Sequence, residues 1–311
     1  MKKVSIAIAI YNEEENIRPL YEKLTALTQC DWEAVCVDDG SIDKSFQLLA
    51  EIAEKDSRIR VIQFRKNYGQ TAAMSAAFSH ASGEVIIPMD ADLQNDPADI
   101  PMLLEKINEG YDVVSGWRKN RQDTFLSRRL PSMIANYLIS KITKVNLHDY
   151  GCSLKAYRSE ILKDVRLYGE MHRFIPAYAS WHGARVTEVV VRHHARKFGK
   201  SKYGIGRTLK VVLDLFTVKF LMDYMTRPMH FFGNLAIFSI LVSFLSGVIA
   251  IALRLAGISS LIQTPLPLMS AFFFMIGIQF LLMGLVAEVL TRVYFETLDK
   301  PVYNIRNKIN I

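Results

Sequence analysis

Cysteine is scarce in this sequence, which places only Cys30, Cys36 and Cys152 among its 311 residues. Their number is odd and their spacing does not match that of a metal site, so we expect neither a disulfide framework nor a structural zinc. The three thiols therefore indicate a reducing compartment.

Glycine-rich phosphate loops are also missing. No Gly-x-Gly-x-x-Gly follows the first apolar segment, and no Gly-x-x-x-x-Gly-Lys-Ser/Thr occurs anywhere in the chain. These absences argue against a dinucleotide cofactor and against a P-loop nucleotidase. The first apolar segment, Val4–Ile10, runs directly into Tyr11, Asn12 and three glutamates without a small-residue cleavage site, so we interpret it as a strand rather than a signal peptide.

Formal charge is nearly absent from residues 228–287, where Arg254 is the one charged residue. A membrane-spanning helix needs roughly 20 consecutive apolar residues. We therefore predict two spans, near 229–253 and 267–290, joined by a turn, Ala256–Pro267, that holds glycine and proline but no charge. The alternative, burial of both stretches in a soluble core, is disfavoured by their combined length.

The connecting turn, Ala256–Pro267, has no basic residue, whereas several basic residues lie at the outer ends of the hairpin. They are Arg227 before the first span and, after the second, Arg292, Lys300, Arg306 and Lys308. The positive-inside rule therefore predicts that both termini and the N-terminal domain face the cytoplasm.

Short runs of branched apolar residues alternate with helix-like segments over about the first 205 residues. The predicted strands are Val4–Ile10, Ala34–Val37, Arg60–Phe64, Val85–Met89 and Tyr111–Ser115, with helices near 13–29, 43–55, 70–81 and 99–109. This order predicts an α/β fold, an open and mostly parallel sheet with helices on both faces. In such a sheet, ligands bind beyond the carboxyl ends of the strands.

The fourth predicted strand runs into PMDADLQNDP, residues 88–97, which carries Asp90 and Asp92. Residues two apart on an extended strand project to the same face, so the two carboxylates would lie about 6–7 Å apart. Three interpretations compete: a solvated turn, an acid–base pair for glycoside hydrolysis, and a divalent cation held together with substrate phosphates. The polar surroundings favour the cation, because hydrolysis needs one carboxylic acid kept protonated by an apolar pocket. Asp96 or Asp99 is expected to cap the next helix.

A basic segment without acids lies between Glu188 and Asp214. Its members are Arg192, Arg196, Lys197, Lys200, Lys202, Arg207 and Lys210. Together with the formal net charge of +7, it indicates an anionic partner such as a phosphate or a lipid headgroup. No aromatic stacking series accompanies it, so we expect no nucleic-acid partner. The amphipathic stretch that follows, 205–227, should lie on the membrane surface.

We therefore divide the chain into a catalytic domain, 1–204, amphipathic juxtamembrane helices, 205–227, two transmembrane helices, 228–295, and a cytoplasmic tail, 296–311. Within the tail, Pro301–Ile305 is interpreted as an edge strand that pairs with a neighbouring copy. This interpretation favours a homo-oligomer, with a tetramer as the expected state.

Three motifs occur in order along the predicted sheet: VSIAIAIYNEEENI, VDDGSIDKS and DADLQNDP. Together they resemble the family 2 glycosyltransferases, whose catalytic domain has the GT-A fold, a Rossmann-like and mostly parallel sheet. Further motifs that match are RKNYGQ at 65–70, GYDVV at 110–114, RKNRQD at 118–123, HDYGCSLKAYR at 148–158 and RKFGKSKYG at 196–204. With the two spans, the chain resembles the polyisoprenyl-phosphate glycosyltransferases, nearest the branch that transfers 4-deoxy-4-formamido-L-arabinose to undecaprenyl phosphate.

The resemblance implies a donor site at the carboxyl edge of the sheet. The residues expected to bind the nucleotide-sugar are Ala9, Tyr11, Glu13, Asp38, Asp39, Arg65, Asn67, Arg121, Lys202 and Tyr203. Asp39 would accept a hydrogen bond from the base. Lys202 and Tyr203 would belong, with Arg196, to a loop that closes over the donor diphosphate and the acceptor phosphate. Ala9 departs from the family pattern, in which many members carry proline.

The resemblance also implies which residues act in catalysis. The catalytic set is Asp90, Asp92, Asp149, Arg118 and Arg196, and the ligands expected for Mg²⁺ or Mn²⁺ are Asp90, Asp92 and Gln94. Asp149 is the candidate for a general base because Cys152 stands where some relatives carry an acid. Its alternative role is to cap the loop before Gly151.

The activity implied by the resemblance is transfer of a sugar, with inversion, from a nucleotide diphosphate, expected to be UDP, to a polyprenyl phosphate. The reaction would take place at the cytoplasmic face of the bacterial inner membrane. A phosphate monoester is already largely anionic at neutral pH, so the acceptor needs no strong base. Two alternatives stay open: a processive polysaccharide synthase, which would need more spans and a Gln-x-x-Arg-Trp motif, and a membrane scaffold that binds the nucleotide-sugar without turnover.

Overall fold

The computed structural model describes residues 3–119, 130–163, 171–195, 220, 224, 228–296 and 303–311. The chain divides into two units, which are described separately. The first comprises Met1–Lys219 together with Pro301–Ile311, and the second comprises Phe220–Lys300.

The first unit contains one mixed sheet, with eight strands among the described residues. In chain order they are β1 (Val4–Ile10), β2 (Trp32–Asp38), β3 (Ile59–Phe64), β4 (Val85–Asp90), β5 (Val113–Trp117), β6 (Lys155–Arg158), β7 (Val186–Val190) and β8 (Ile305–Ile309). Across the sheet the order is β7-β5-β6-β4-β1-β2-β3-β8. β1 to β5 and β7 run in one direction, whereas β6 is antiparallel to β4 and β5, and β8 is antiparallel to β3.

Helices cover both faces of this sheet. They are α1 (Glu14–Thr25), α2 (Ser45–Lys55), α3 (Gln70–His80), α4 (Ile100–Asn108), α5 (Leu130–Thr143), α6 (Ser159–Lys163) and α7 (Ile175–Trp181), with 3₁₀ turns at Pro97–Asp99 and Met171–Arg173. The buried side chains of α1, α2 and α4 belong to one apolar cluster, and those of α3 and α7 belong to a second.

Strand β1 lies inside the sheet and is buried on both sides. Val4, Ile6 and Ile8 join the cluster that contains α1, whereas Ala7 joins the cluster that contains α3. A nearly continuous apolar run is what an interior parallel strand requires, because neither of its faces meets water. The sequence pattern of β1 and its position in the fold therefore agree.

All five strands predicted from the sequence are present, and the α/β fold with a mostly parallel sheet and helices on both faces is confirmed. The sequence pattern did not reveal β6, β7 and α5 to α7. β6 has only four residues, and the side chains of β7 are mostly half-buried. Neither strand provides the apolar run on which strand prediction depends.

The C-terminal segment departs from the prediction of a separate tail, 296–311, that pairs with a neighbouring copy. In the structure, Ile305–Ile309 form β8 and pair with β3 of the same chain. Without β8, the last parallel strand would expose a row of unpaired backbone groups. The end of the chain therefore belongs to the first unit.

At the amino edge of the sheet, one buried glutamate joins several strands. Glu33 Oε1 accepts hydrogen bonds from Ser5 Oγ at 2.6 Å and from the N–H of Ser82 at 2.7 Å. Its Oε2 lies 3.1 Å from Arg60 Nη1 and 3.2 Å from Lys3 Nζ. Burial alone would raise the pKa of Glu33, but these donors hold the pKa at about 2. Glu33 therefore contributes to stability far from the carboxyl edge.

The second unit is a pair of long apolar helices, α8 (Pro228–Leu255) and α9 (Leu266–Glu296). Their most apolar windows have a mean hydropathy of 2.6 and 2.2, and both helices are long enough to cross a membrane. Helices are therefore present at both positions where spans were predicted, near 229–253 and 267–290.

Small residues line the contact between α8 and α9. Ser243 Oγ donates to the carbonyl of Ser270 at 2.7 Å, and Ser270 Oγ donates to the carbonyl of Ser243 at 2.9 Å. A Cβ at Gly277 would lie 2.7 Å from Ile240 Cγ1 and 3.2 Å from the carbonyl oxygen of Ala236. Close approach through small residues and interhelical hydrogen bonds is typical of helix packing in membranes.

Candidate active site

The residues predicted to form the site lie at one edge of the sheet. β1 to β5 run in one direction, so the segments that follow them meet at the carboxyl edge. β6 runs the opposite way, so the segment that precedes it lies at the same edge. The predicted residues in these segments are Tyr11, Glu13, Asp38, Asp39, Arg65, Asn67, Asp90, Asp92, Gln94, Arg118 and Asp149. Ala9 lies just inside the edge, where it pairs with Asp90 of β4.

Hydrogen bonds join the turn after β1 to the turn after β2. The N–H of Asn12 donates to Ser41 Oγ at 2.9 Å, and Asn12 Oδ1 accepts from the N–H of Ile42 at 2.9 Å. The N–H of Glu13 donates to Ser45 Oγ at 2.9 Å. Asn12 has a φ of 52°, a left-handed conformation that asparagine adopts more readily than most residues. The two turns predicted to meet the nucleotide therefore hold each other in place.

Asp38 is the last residue of β2 and is fully buried. Its Oδ1 accepts a hydrogen bond from the N–H of Ser41 at 3.2 Å. Burial raises the pKa of Asp38 above its ordinary value. Asp38 thus shapes the turn that carries the next carboxylate.

Asp39 is buried and holds the segment that follows β3. Its Oδ1 accepts from the N–H of Tyr68 at 2.7 Å, and its Oδ2 accepts from the N–H of Gly69 at 2.9 Å. Burial raises the pKa of Asp39 to about 6, although these two donors oppose the rise. A Cβ at Gly40, whose φ is 71°, would lie 2.4 Å from the carbonyl carbon of Lys66, so only glycine fits. The carboxylate expected to meet the base therefore also fixes a neighbouring loop.

Asp90 and Asp92 lie where β4 ends, but only Asp90 belongs to the strand. β4 ends at Asp90, and the chain then bends, with a φ of 62° at Leu93. Because Asp92 lies outside the strand, the alternation of side chains along a strand does not apply to the pair. Gln70 Nε2 donates to Asp90 Oδ1 at 2.8 Å, and the N–H of Gln94 donates to Asp92 Oδ1 at 3.1 Å.

Arg118 directly follows β5, and Asp149 lies in the segment that precedes β6. Their side chains form a buried ion pair. Arg118 Nε donates to Asp149 Oδ2 at 2.7 Å and its Nη2 donates to Oδ1 at 2.9 Å. The N–H of Gly151 also donates to Asp149 Oδ1, at 3.1 Å, which is the loop cap considered as an alternative. Burial is the largest single influence and lowers the pKa of Arg118, but the favourable interactions with its partners, chiefly the charge and hydrogen bonds of Asp149 and to a lesser extent the charge of Asp90, together outweigh it and raise the pKa. The guanidinium is therefore a permanent cation close to Asp90.

Lys155, the first residue of β6, holds the segment that precedes the strand, and it was not predicted from the sequence as a site residue. Its Nζ donates to the carbonyl of Tyr150 at 3.2 Å and to the carbonyl of Cys152. Burial lowers the pKa of Lys155 to about 8. No pattern in the sequence indicated this role, because β6 is short and has no apolar run that would mark Lys155 as buried.

Gln70 was also missed, although it ends the RKNYGQ motif from which Arg65 and Asn67 were selected. Its side chain reaches Asp90, whereas the side chains of Arg65 and Asn67 are exposed at the edge. The signal for Gln70 was its place at the start of the predicted helix 70–81, at the end of the loop that follows a predicted strand.

Hydrogen bonds join the acidic segment after β4 to the start of the basic segment after β7. Arg192 donates to Asp99 through its N–H and its Nε, both at 2.7 Å. His194 Nε2 lies 3.1 Å from Asp96 Oδ2. Asp96 Oδ1 accepts from the N–H of Ala98 at 3.1 Å, as predicted for a cap, whereas the Asp99 side chain pairs with Arg192 instead of capping α4.

The remaining predicted site residues, Arg121, Arg196, Lys202 and Tyr203, lie outside the described residues. Nearly all of the amphipathic stretch 205–227 lies outside them as well.

Comparison with known proteins places this geometry in a family. The chain matches Glycosyl transferase family 2 over residues 5–166. It is 40% identical to Dodecaprenyl-phosphate galacturonate synthase of Rhizobium johnstonii, with 98% of this chain and 92% of that protein covered. It is also 40% identical to Undecaprenyl-phosphate 4-deoxy-4-formamido-L-arabinose transferase of Salmonella enteritidis, with 99% and 94% covered. The chain belongs to glycosyltransferase family 2.

This glycosyltransferase also shares its fold with glucosyl-3-phosphoglycerate synthase of Mycobacterium tuberculosis, which was crystallised with Mn²⁺, UDP and phosphoglyceric acid. The TM-score is 0.56 at 16% sequence identity, and the match covers 70% of this chain and 78% of that one. At this identity the likeness concerns the fold alone, and it confirms the GT-A fold predicted for the catalytic domain.

The side-chain atoms that Asp90 and Asp92 of this glycosyltransferase can offer as metal ligands suit a hard cation. Asp90 and Asp92 offer only oxygen atoms, and Asp92 is 7% exposed. Across the part of the chain that the structure describes, no group of three or more His, Cys, Asp or Glu residues is placed to hold a metal. Two carboxylates completed by substrate phosphates and water are a common way of binding Mg²⁺. The residues present therefore fit Mg²⁺ or Mn²⁺ better than zinc.

Proposed function

We propose that this glycosyltransferase transfers a sugar from UDP to the phosphate of a polyprenyl phosphate, with inversion at the anomeric carbon. The observation that carries the proposal is the similarity to two enzymes named as polyprenyl-phosphate sugar transferases. That similarity extends over 98% and 99% of the chain, so it includes both apolar helices as well as the catalytic unit.

The donor would lie along the carboxyl edge of the sheet. The joined turns after β1 and β2, with Tyr11, Glu13 and Asp39, would border the nucleotide. The diphosphate would lie toward Asp90 and Asp92. This arrangement is supported by the general rule that open α/β sheets bind their ligands beyond the carboxyl ends of the strands.

A divalent cation, Mg²⁺ or Mn²⁺, would be held by Asp90, Asp92 and Gln94, and when bound it neutralises the negative charge of the departing diphosphate. Arg118 supplies a second positive charge that belongs to the chain itself. Because Asp149 fixes the guanidinium in a buried ion pair, Arg118 can stabilise developing charge without rearranging during the reaction.

The acceptor phosphate would attack the anomeric carbon from the side opposite the diphosphate. Its second pKa near 6 leaves it largely anionic at neutral pH, so it needs no proton acceptor in the enzyme. Both carboxylate oxygens of Asp149 accept hydrogen bonds from Arg118, which also supports a reaction without a proton acceptor in the enzyme. We therefore assign Asp149 to holding Arg118 and leave the reaction without a general base.

The lipid acceptor requires a membrane, and α8 and α9 would anchor the enzyme in it. We propose a multi-pass protein of the bacterial inner membrane with the catalytic unit and both termini in the cytoplasm. Arg196, Lys202 and Tyr203 of the basic segment would meet the two phosphate groups. A homo-oligomer, with a tetramer as the expected state, stays a prediction that size-exclusion chromatography with light scattering would check.

The proposal is tested with purified enzyme in nanodiscs, Mn²⁺, radiolabelled UDP-sugars and undecaprenyl phosphate. We expect one labelled sugar per acceptor lipid, separated by thin-layer chromatography. UDP-galacturonate and the UDP-activated formamido-arabinose are the first donors to compare, because they correspond to the names of the two relatives. A labelled polymer would instead indicate a processive synthase, and donor binding without transfer would indicate a scaffold.

Asp92→Asn tests the acidic pair within the same assay. We expect kcat to fall by about 10²–10³-fold, because charge stabilisation of the departing diphosphate is lost. Asp31→Asn is the matched control, since Asp31 is an exposed aspartate at the amino edge of the sheet, and it should keep full activity. Full activity in Asp92→Asn would contradict the role of the acidic pair.

A further inference from the structure

The C-terminal strand β8 begins beside the loop that follows β3. This loop, residues 65–70, is called the donor-edge loop below. The N–H of Arg65 donates to the carbonyl of Asn304 at 3.1 Å. The side chain of Asn304 reaches further along the loop, where Nδ2 donates to Tyr68 Oη at 3.2 Å. One residue before β8 therefore contacts the loop at two points.

Stacked rings add to this contact. Tyr303 stacks on Phe64 with 4.9 Å between ring centroids, and Tyr68 contacts Phe64 edge-on with 5.6 Å between centroids. Tyr303 is 8% exposed and Phe64 is 1% exposed, so the rings form part of the core. The start of β8 is thus anchored in the core, and it can position the donor-edge loop that it contacts.

The donor-edge loop is connected on its other side to the acidic residues of the site. Asp39 accepts hydrogen bonds from the N–H groups of Tyr68 and Gly69, at 2.7 and 2.9 Å. Gln70 donates to Asp90 Oδ1 at 2.8 Å. The loop is therefore the link between the end of the chain and two carboxylates at the carboxyl edge.

We propose that Asn304 is a positioning residue for the sugar-donor site and acts through Tyr68 and the donor-edge loop. The proposal rests on the proposed function, because it assumes that the nucleotide-sugar binds at this edge. A loop that is already ordered costs less binding energy when the donor arrives. Residues that follow both apolar helices in sequence would in this way set the affinity for the donor.

Asn304→Ala tests the proposal because it removes only the side-chain bond and keeps the backbone bond to Arg65. We expect the KM for the UDP-sugar to rise about 3- to 5-fold, the size of one net hydrogen bond. The KM for undecaprenyl phosphate and kcat should stay close to the wild-type values. Hydrogen exchange of the peptide that contains Tyr68 and Gly69 should accelerate in the absence of any substrate.

Two further variants separate positioning from general destabilisation. Asn304→Asp should restore the KM, because its carboxylate can accept a hydrogen bond from the Tyr68 hydroxyl. In the double variant with Tyr68→Phe, the KM should be no higher than in the worse single variant, because both changes remove the same bond.

Asn310→Ala is the matched control from the other end of β8. Asn310 Nδ2 donates to the carbonyls of Ala53 and Ile59, at 2.8 and 2.9 Å, away from the donor-edge loop. This variant should lower thermal stability and leave the KM for the donor unchanged.

An Asn304→Ala enzyme with wild-type KM and wild-type exchange of the loop would overturn the proposal. A rise in KM of equal size in Asn310→Ala would also overturn it, because the change in KM would then result from lower stability and not from loss of the contact with the loop. If the wild-type enzyme transfers no sugar, the proposed function fails. Faster exchange of the loop and weaker UDP binding by calorimetry in Asn304→Ala would still support the positioning role in that case, and their absence would overturn it.

Discussion

Replacing Asp149 with asparagine distinguishes the two roles open to this carboxylate, proton acceptor and partner of Arg118. The side chain of Arg118 is 14% exposed and that of Asp149 is 4% exposed. Arg118 Nε lies 2.7 Å from Asp149 Oδ2. Asparagine keeps the shape of the side chain but removes its charge. Arg118 would then stay buried beside one acceptor oxygen instead of a carboxylate.

The cost of this change follows from the burial of the pair. Removing one partner of a buried ion pair costs about 3–5 kcal/mol, and asparagine, which keeps one acceptor, should lie near the lower value. For a unit of this size, each kcal/mol lowers Tm by about 2–4 °C, so we expect a drop of about 6–12 °C. The loosened guanidinium should also lower kcat by about 10²-fold, as for other misplaced catalytic groups.

The assay combines thermal unfolding with kcat measured from pH 6 to 9. If Asp149 positions Arg118, the variant keeps the shape of the wild-type pH profile at a lower rate. Arg118→Lys should cost a similar amount, because lysine cannot make the bidentate contact. The double variant should lose little beyond the worse single variant, because the two residues act as one unit.

An Asp149→Asn enzyme with unchanged Tm and a lost acidic limb in its pH profile would refute the positioning role. That result would identify Asp149 as the base. It would also mean that the ion pair contributes little to the stability of the site.

Two further predictions concern stability away from the site. Because the pKa of Glu33 lies at about 2, below its ordinary 4.5, its contribution of about 3 kcal/mol is present above pH 4.5 and is lost as the pH falls toward 2. Acid should therefore lower the Tm of the wild type more than that of Glu33→Gln, and parallel curves in scans at stepped pH would contradict the assignment. In the hairpin, Gly277→Leu should cost about 1–3 kcal/mol by forcing α8 and α9 apart. Gly233→Leu, at a position with no neighbour within 4 Å, should cost little, and equal Tm values in detergent would show that Gly277 is not a packing site.

Local sequence determined the central part of the sheet. β1 to β4 are short and mostly apolar runs with polar residues at or directly after their carboxyl ends, and such runs predict buried strands. Because parallel strands place their carboxyl ends at one edge, the same pattern also predicted where Asp39, Asp90 and Arg118 would lie. The two apolar helices followed from length and absence of charge alone.

The partners of those residues depended on the tertiary structure. Asp149 lies 31 positions from Arg118, and Asn304 lies 236 positions from Tyr68, so no local pattern relates them. The bend after β4 moved Asp92 off the strand, which periodicity could not show. β8 pairs with β3 because an edge strand gains hydrogen bonds from any strand of suitable register, and only the folded chain decides which segment reaches that edge.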